Sequence, residues 1–275
     1  MKPSKIPRIL TIAGSDSSGG AGIQADLKTF DALGCYGASV ITAITAQNTQ
    51  GVLDSQNIEP HIIEKQFEAV MTDIGADSIK TGMLSSPEVV KMVSACIKRW
   101  PVAHFVLDPV LRSTSGANLG GTDTAIAMVN DLFPIASLIT PNLIEASVLL
   151  GRAVTDISQM KQAALDLLEL GPKAVLLKGG HLLGDELLDF LVLKESGQIF
   201  SYEFRHQKIK TKNTHGTGCT LASAIACGLA RDQTMSESVE SSIQFVQEGL
   251  IHGRDLNLGQ GHGPLWHMHP FYPQK

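Results

Sequence analysis

A cysteine directly after Gly-Thr-Gly, at the point where a helix should begin, is the chemically most suggestive feature of this sequence. Residues 212–220 read Lys-Asn-Thr-His-Gly-Thr-Gly-Cys-Thr, and Leu221-Ala222-Ser223-Ala224-Ile225-Ala226 continue with small and apolar side chains. A glycine-rich turn feeding a helix presents free backbone N–H groups at the positive end of the helix dipole. Such a turn holds an anion without needing a lysine. Gly216, Thr217, Gly218 and Cys219 are therefore the candidate catalytic stretch. Cys219 falls in the first helical turn, where a thiolate is favoured and the thiol pKa is expected to drop. An anion hole containing a potential base suits phosphoryl transfer. A plain helix start around a buried cysteine would read the same way in this stretch alone.

A second glycine-rich stretch lies near the N-terminus. Residues 9–13 form a short apolar run that closes on Gly14-Ser15-Asp16-Ser17-Ser18-Gly19-Gly20-Ala21-Gly22. A helical pattern follows, with Ile23, Leu27 and Phe30 on one face. Strand, glycine turn and helix is the layout of a small-ligand pocket. It matches neither common phosphate fingerprint. Gly19 is followed by Gly20-Ala21 instead of Lys-Ser/Thr, and after Gly216 and Gly218 the third glycine's place is taken by Leu221.

The elements that must position these groups alternate along the chain. Strands are expected at residues 9–13, 38–43, 78–81, 105–107, 137–139 and 175–177. Helices are expected at 22–33, 62–72, 87–98, 124–132, 144–150 and 160–170. Near-continuous apolar strands separated by helices imply an α/β fold, a doubly wound and mainly parallel sheet with helices on both faces. Residues 188–193 and 198–204, around Glu195-Ser196-Gly197, read as a small antiparallel edge hairpin. With no low-complexity linker and no repeat, residues 1–275 are expected to form a single domain.

Four strand ends deliver polar groups to one edge. Ile12 leads into Gly14 and Asp16, Leu107 into Asp108, Ile139 into Thr140-Pro141-Asn142, and Leu177 into Lys178-Gly179-Gly180. Ligands of open parallel sheets sit beyond the carboxyl ends of the strands. Each residue also has a structural reading. Asp108 before Pro109 could begin a turn, Asn142 and Glu145 fit a capping box, and Lys178 could simply escape the sheet end. As a point charge there, Lys178 can neutralise phosphate oxygens. Thr211 and Thr214 could add donors.

Composition narrows the class. At 275 residues and 43% hydrophobic, the chain can bury a large core, and a net charge of −5 with no basic cluster offers no surface for nucleic acid or membrane. Cysteines at 35, 96, 219 and 227 have no Cys-x-x-Cys spacing, which argues against a zinc site or a disulfide framework. Residues 1–7 lack the apolar centre of a signal peptide. A cytoplasmic enzyme is the expectation.

Taken together, residues 13–30, 36–49, 80–84, 106–110, 140–145, 178–181, 211–220 and 261–264 resemble, in order, the hydroxymethylpyrimidine/phosphomethylpyrimidine kinases of thiamine biosynthesis, a branch of the ribokinase-like superfamily. The resemblance implies ATP-dependent phosphorylation of a hydroxymethyl group on an aminopyrimidine and then of its monophosphate. It implies magnesium near Asp108 and Glu145, nucleotide contacts from Lys178, Thr211 and Asn142, and Cys219 as the base. It places Gly14, Asp26, Gln47, Met83 and Val110 on the acceptor side. Asp26 could equally be an ion-pair partner or a solvated helix residue. Many ribokinase-like enzymes carry aspartate where this chain has Cys219, although cysteine is usual in this branch. A further departure is Thr114, which stands where the branch commonly has a lysine, with Arg112 two residues away. Relatives are commonly dimers, so a homodimer is expected, with the exposed face of the edge hairpin as one possible contact. Two other activities fit parts of the pattern: a pyridoxal kinase, whose substrate also carries a hydroxymethyl on a flat ring, and a Cys/His hydrolase using Cys219 and His215. His262, His267 and His269 are expected in a tail packed on the body or in a subunit contact, without a metal.

Overall fold

The structure, a computed structural model, describes residues 6–111, 121–180 and 185–272. Thr114 and Arg112 lie outside the described residues. The strands are β1 (Arg8–Asp16), β2 (Tyr36–Asn48), β3 (Gly51–Asn57), β4 (Ser78–Thr81), β5 (His104–Leu107), β6 (Leu138–Ile139), β7 (Ala174–Leu177), β8 (Glu186–Glu195) and β9 (Gln198–Gln207). They form one nine-stranded sheet in the order β3-β2-β1-β4-β5-β6-β7-β8-β9. The centre, from β2 through β7, is parallel. Antiparallel pairs close both edges, β3 on β2 and β8–β9 on β7. The expected edge hairpin is present and longer than its apolar run, turning at Ser196 and Gly197 with φ of 48° and 80°.

Helices cover both faces: α1 (Gly22–Ala32), α2 (Pro60–Asp73), α3 (Pro87–Arg99), α4 (Thr122–Ala127), α5 (Leu143–Leu150), α6 (Ile157–Leu168), α7 (Thr217–Leu229) and α8 (Met235–Gly253). Where one helix was expected over 124–132, α4 passes into a π-turn over Met128–Leu132. Alternate strand residues feed two cores. Leu10, Ile12, Ile79, Leu107, Val175 and Leu177 pack with α2 to α6, whereas Ile9, Val106, Leu138 and Leu176 pack with α1, α7 and α8. This period-two split of fully apolar strands is what burial on both faces requires.

The order places the change of winding direction at β1, with β2 on one side and β4 on the other. The β1–β2 register shifts between Ala13 and Ser15, leaving Gly14 outside the regular ladder at the carboxyl edge. Among the described residues, no helix is long and apolar enough to cross a membrane.

Candidate functional site

One cavity of about 640 Å³ opens along the carboxyl edge of the sheet. It is lined by Gly14, Gln47, Met83 and Val110, by Asp108, Asn142, Glu145, Lys178 and Thr211, and by Gly216, Thr217, Gly218 and Cys219, with Gly14 packed near Met83 and Gly218 near Lys178 and Asp108. The strand-end argument thus brings the candidates together, with one exception. Asp26 does not line the cavity.

Asp26 is a correction with a clear cause. Its carboxylate is fully buried and receives Lys80 Nζ at 2.8 and 2.9 Å, Thr11 Oγ1 at 2.6 Å and Ser223 Oγ at 2.7 Å. No acceptor capacity is left for a heterocycle. The ion-pair alternative is what the fold uses. Lys80, in contrast, lines the cavity floor. Burial alone would pull its ammonium down, but Asp26 and, more weakly, Cys219 and Asp108 outweigh burial and raise it. A lysine inside the apolar strand Ser78-Ile-Lys-Thr is a legible signal, because a buried lysine demands a partner.

The anion loop is built by close backbone packing. Gly216 takes φ 79° as the cap of α7, and a Cβ there would collide with the Gly20 carbonyl. Only glycine serves at that contact. The two glycine-rich stretches therefore pack directly against each other. Asp16 Oδ2 accepts from His215 Nε2 at 2.8 Å, and the amide of Gln47 lies 3.3 Å from the same nitrogen. Among the described residues no hydrogen bond joins His215 to Cys219, so the hydrolase reading loses its base.

Cys219 departs from the dipole-based expectation. Burial pushes its thiol up, to about 11. Lys80 and a hydrogen bond from the Gly22 amide pull the other way, while Asp26 and Asp108 add to the rise. The residue itself is half-buried at the cavity floor. Low dielectric and two nearby carboxylates outweigh one helix terminus.

Beyond the loop, Lys178 Nζ lies 3.0 Å from Asp108 Oδ1, which also accepts from Thr140 Oγ1 at 2.9 Å. Burial works against the Lys178 charge, but Asp108 and Glu145 raise its pKa. Asn142 and Glu145 form the capping box of α5, with Glu145 Oε2 accepting from the Asn142 amide at 2.8 Å. Glu145 is 5% exposed, and burial raises its pKa to about 7 despite Lys178. Capping and facing the cavity coexist in the same two residues.

Thr211 lines the cavity while donating to the Arg254 carbonyl at 3.1 Å. The C-terminal tail packs on the body: His267 is buried 2.9 Å from Thr220 Oγ1, and His269 lies 3.1 Å from the Phe245 carbonyl. His262 stays near the surface beside the Lys212 carbonyl. Sequence reasoning missed a cluster at the far end of the cavity, made of Asp189, His206 and Gln247. No local motif marks it, since its members come from two strands and a helix.

A doubly wound, mainly parallel sheet with antiparallel edges, helices on both faces and a cavity at its carboxyl edge is a ribokinase-like architecture. The chain belongs to the phosphomethylpyrimidine kinase family, whose model matches residues 16–266. It is 43% identical to the hydroxymethylpyrimidine/phosphomethylpyrimidine kinase of Rhizobium meliloti, over 96% of this chain and 97% of the relative. It is 46% identical to the probable chloroplastic thiamine biosynthetic bifunctional enzyme of rice, over 95% of this chain and 48% of that protein. The chain thus spans about half the length of such bifunctional relatives. Among solved structures, the pyridoxal kinase of Staphylococcus aureus in complex with AMP-PCP and pyridoxal superposes with a TM-score of 0.89 at 34% identity, covering 98% of this chain and 97% of that one.

Proposed function

We propose that this chain, as a single kinase domain, transfers the γ-phosphate of ATP to the hydroxymethyl group of 4-amino-5-hydroxymethyl-2-methylpyrimidine and then to the resulting monophosphate. The observation that supports this reading is that Gly216–Cys219, Gln47, Met83 and Lys178 line one cavity, in a chain of this family. Gln47 can read a ring nitrogen and an exocyclic amine together, with Gly14, Met83 and Val110 as walls. Lys178, Asn142 and Thr211 hold the nucleotide.

Phosphoryl transfer depends chiefly on position and charge. The acceptor oxygen forms the new bond to the γ-phosphorus as the bond to the bridging oxygen breaks, and that electron pair leaves with ADP. First-turn amides of α7 stabilise charge on the transferring group. Cys219 orients the hydroxyl and, in its thiolate form, takes its proton. Burial opposes that form at neutral pH, while Lys80 favours it. The monophosphate, already an anion, needs no such base.

Asp108 and Glu145 fit magnesium of the kind held through one or two carboxylates, water and phosphate oxygens. When bound, magnesium would neutralise charge on the β- and γ-phosphates. We read the protein as cytoplasmic and homodimeric, the latter supported by Ile199, Phe200 and Tyr202, which stand exposed along the edge strand β9.

A second reading has its own support: the superposition on a pyridoxal kinase. A coupled ADP-release assay with the pyrimidine alcohol, its monophosphate and pyridoxal side by side decides between them. Turnover of the pyrimidine alcohol and its monophosphate is expected to dominate. A kcat/KM for pyridoxal tenfold above that for the pyrimidine would overturn the leading choice.

A further inference from the structure

Leu187, Ile209, Val246 and Leu250 give the cavity an apolar slot, with Leu187 paired to His206 across β8 and β9 and Val246 next to Gln247. On the reading that the acceptor ring occupies the Gln47 end, this slot takes the nucleobase. Its polar edge is a chain of hydrogen bonds whose direction follows from a neutral His206 ring.

The chain starts at Asp189 on β8, whose side chain is 9% exposed. Asp189 Oδ1 accepts from the Gly179 amide at 2.9 Å, and Oδ2 lies 3.0 Å from His206 Nε2. A carboxylate only accepts, so Nε2 carries the ring proton. In the neutral ring Nδ1 must then accept, and Gln247 Nε2 lies 2.9 Å from it. The amide nitrogen of Gln247 is thereby committed to His206, leaving Oε1 as the free end of a side chain that lines the cavity. An acceptor beside an apolar slot matches a ring amine and mismatches a ring carbonyl.

We propose that Asp189, His206 and Gln247 form a relay that orients the Gln247 amide and makes the slot selective for a nucleobase bearing an exocyclic amine. This rests on reading the cavity as a nucleotide site. Gln247 is the specificity-determining residue, and Asp189 and His206 are positioning residues acting through it. Other charged groups near His206 do not reverse the logic: Lys208 donates only, and Asp189 is the carboxylate already assigned.

The relay makes an unusual demand on Asp189→Asn. The Gly179 amide still requires an oxygen, so the new NH2 must face His206. Nε2 must then accept, Nδ1 must carry the proton, and Gln247 must turn its oxygen to Nδ1 and its NH2 to the slot. Preference should pass from adenine to hypoxanthine, which has a carbonyl at the same ring position. Titration calorimetry of ADP and IDP at pH 8, above the ordinary range of imidazole, reads this without requiring turnover. The wild-type chain is expected to bind ADP about tenfold more tightly than IDP, the size of one well-made hydrogen bond. Asp189→Asn is expected to favour IDP, and Gln247→Leu to bring the ratio near one. Equal affinities in the wild type, or an unchanged ratio in Asp189→Asn, would overturn the relay alone. No binding of either nucleotide would overturn the nucleotide reading and the relay with it.

Discussion

On the Gln47 side of the cavity, proposed to hold the acceptor, Asp16 takes hydrogen bonds from the Ser18 amide at 2.8 Å, Ser18 Oγ at 2.7 Å, the Ala21 amide at 2.8 Å and His215 at 2.8 Å. At the phosphate end, Glu145 is similarly enclosed but shares a single lysine with Asp108, and its own hydrogen bonds come from backbone amides. Burial pushes both acids up. At Asp16 the donors win and its pKa falls to about 2, whereas at Glu145 burial wins and its pKa rises to about 7. The balance between burial and donors therefore sets the protonation of each acid. Asp16 is satisfied as it stands. Around Lys178 two acids share one lysine, a state that a bound cation would relieve.

If the two ends divide the work in this way, variants between and beyond them should separate kcat from KM. The largest effect is expected at the junction. Cys219→Ala should lower kcat for the alcohol by about 10²–10⁴-fold, the usual contribution of a positioned base. Cys219→Ser should fall between, and the monophosphate should suffer less than the alcohol. Because the thiol is pushed up to about 11, wild-type kcat for the alcohol should also climb with pH above neutrality, and this climb should vanish in Cys219→Ala. Full retention of alcohol turnover in Cys219→Ala would reduce the residue to packing.

Next in size is Lys178→Met, which removes the cation while keeping an unbranched side chain. A drop of about 10²-fold in kcat for both acceptors is expected, as for loss of one charge-stabilising donor. Steady-state rates with each acceptor at saturating ATP test it, and a loss confined to one acceptor would place Lys178 at the wrong end. Gln47→Leu should act in the opposite sense, raising KM for the pyrimidine about tenfold with a smaller change in kcat. A kcat loss at unchanged KM would mean that Gln47 belongs with the chemistry and not with ring recognition.

Much of this division is visible in the residue order. Asp108, Asn142 and Lys178 each follow an apolar run, and a parallel sheet must gather such positions at one edge. The two glycine stretches were legible as turns, but their mutual contact at Gly20 and Gly216 joins positions nearly two hundred residues apart and has no local trace. The same holds for Asp26, whose partner Lys80 lies 54 positions away. Cys219 misled because helix-terminus reasoning is local, while desolvation and carboxylates from other elements are not. The edge strand β3 escaped because Gly51–Asn57 is mostly exposed and so carries no apolar alternation. The expected pattern also omits α8, although its capping pair Thr234 and Glu237 and the spacing of Val239, Ile243, Val246 and Leu250 mark it clearly.

The smallest expected effect is the most direct test of the contrast between the two acids, because its sign differs at the two ends. Asp16 has a folded pKa of about 2, below its ordinary value of 3.8. Its ionised form therefore stabilises the fold above pH ~4, and that contribution disappears as pH falls toward 2. Glu145 has a folded pKa of about 7, above its ordinary 4.5. Between those values the folded chain holds a proton that the unfolded chain has lost, so stability falls as pH rises through this window. Asp16→Asn should accordingly lower the melting temperature at pH 7, with a penalty that shrinks in acid. Glu145→Gln should raise it at pH 8 by a few degrees, about what 1 kcal/mol gives in a chain of this size, and the gain should disappear near pH 5. Thermal melts of the ligand-free protein across pH 2–8 read both variants in one series. If Glu145→Gln is destabilising at pH 8, the ionised carboxylate is already well compensated in the empty cavity, and the two ends do not differ in the way their donors imply.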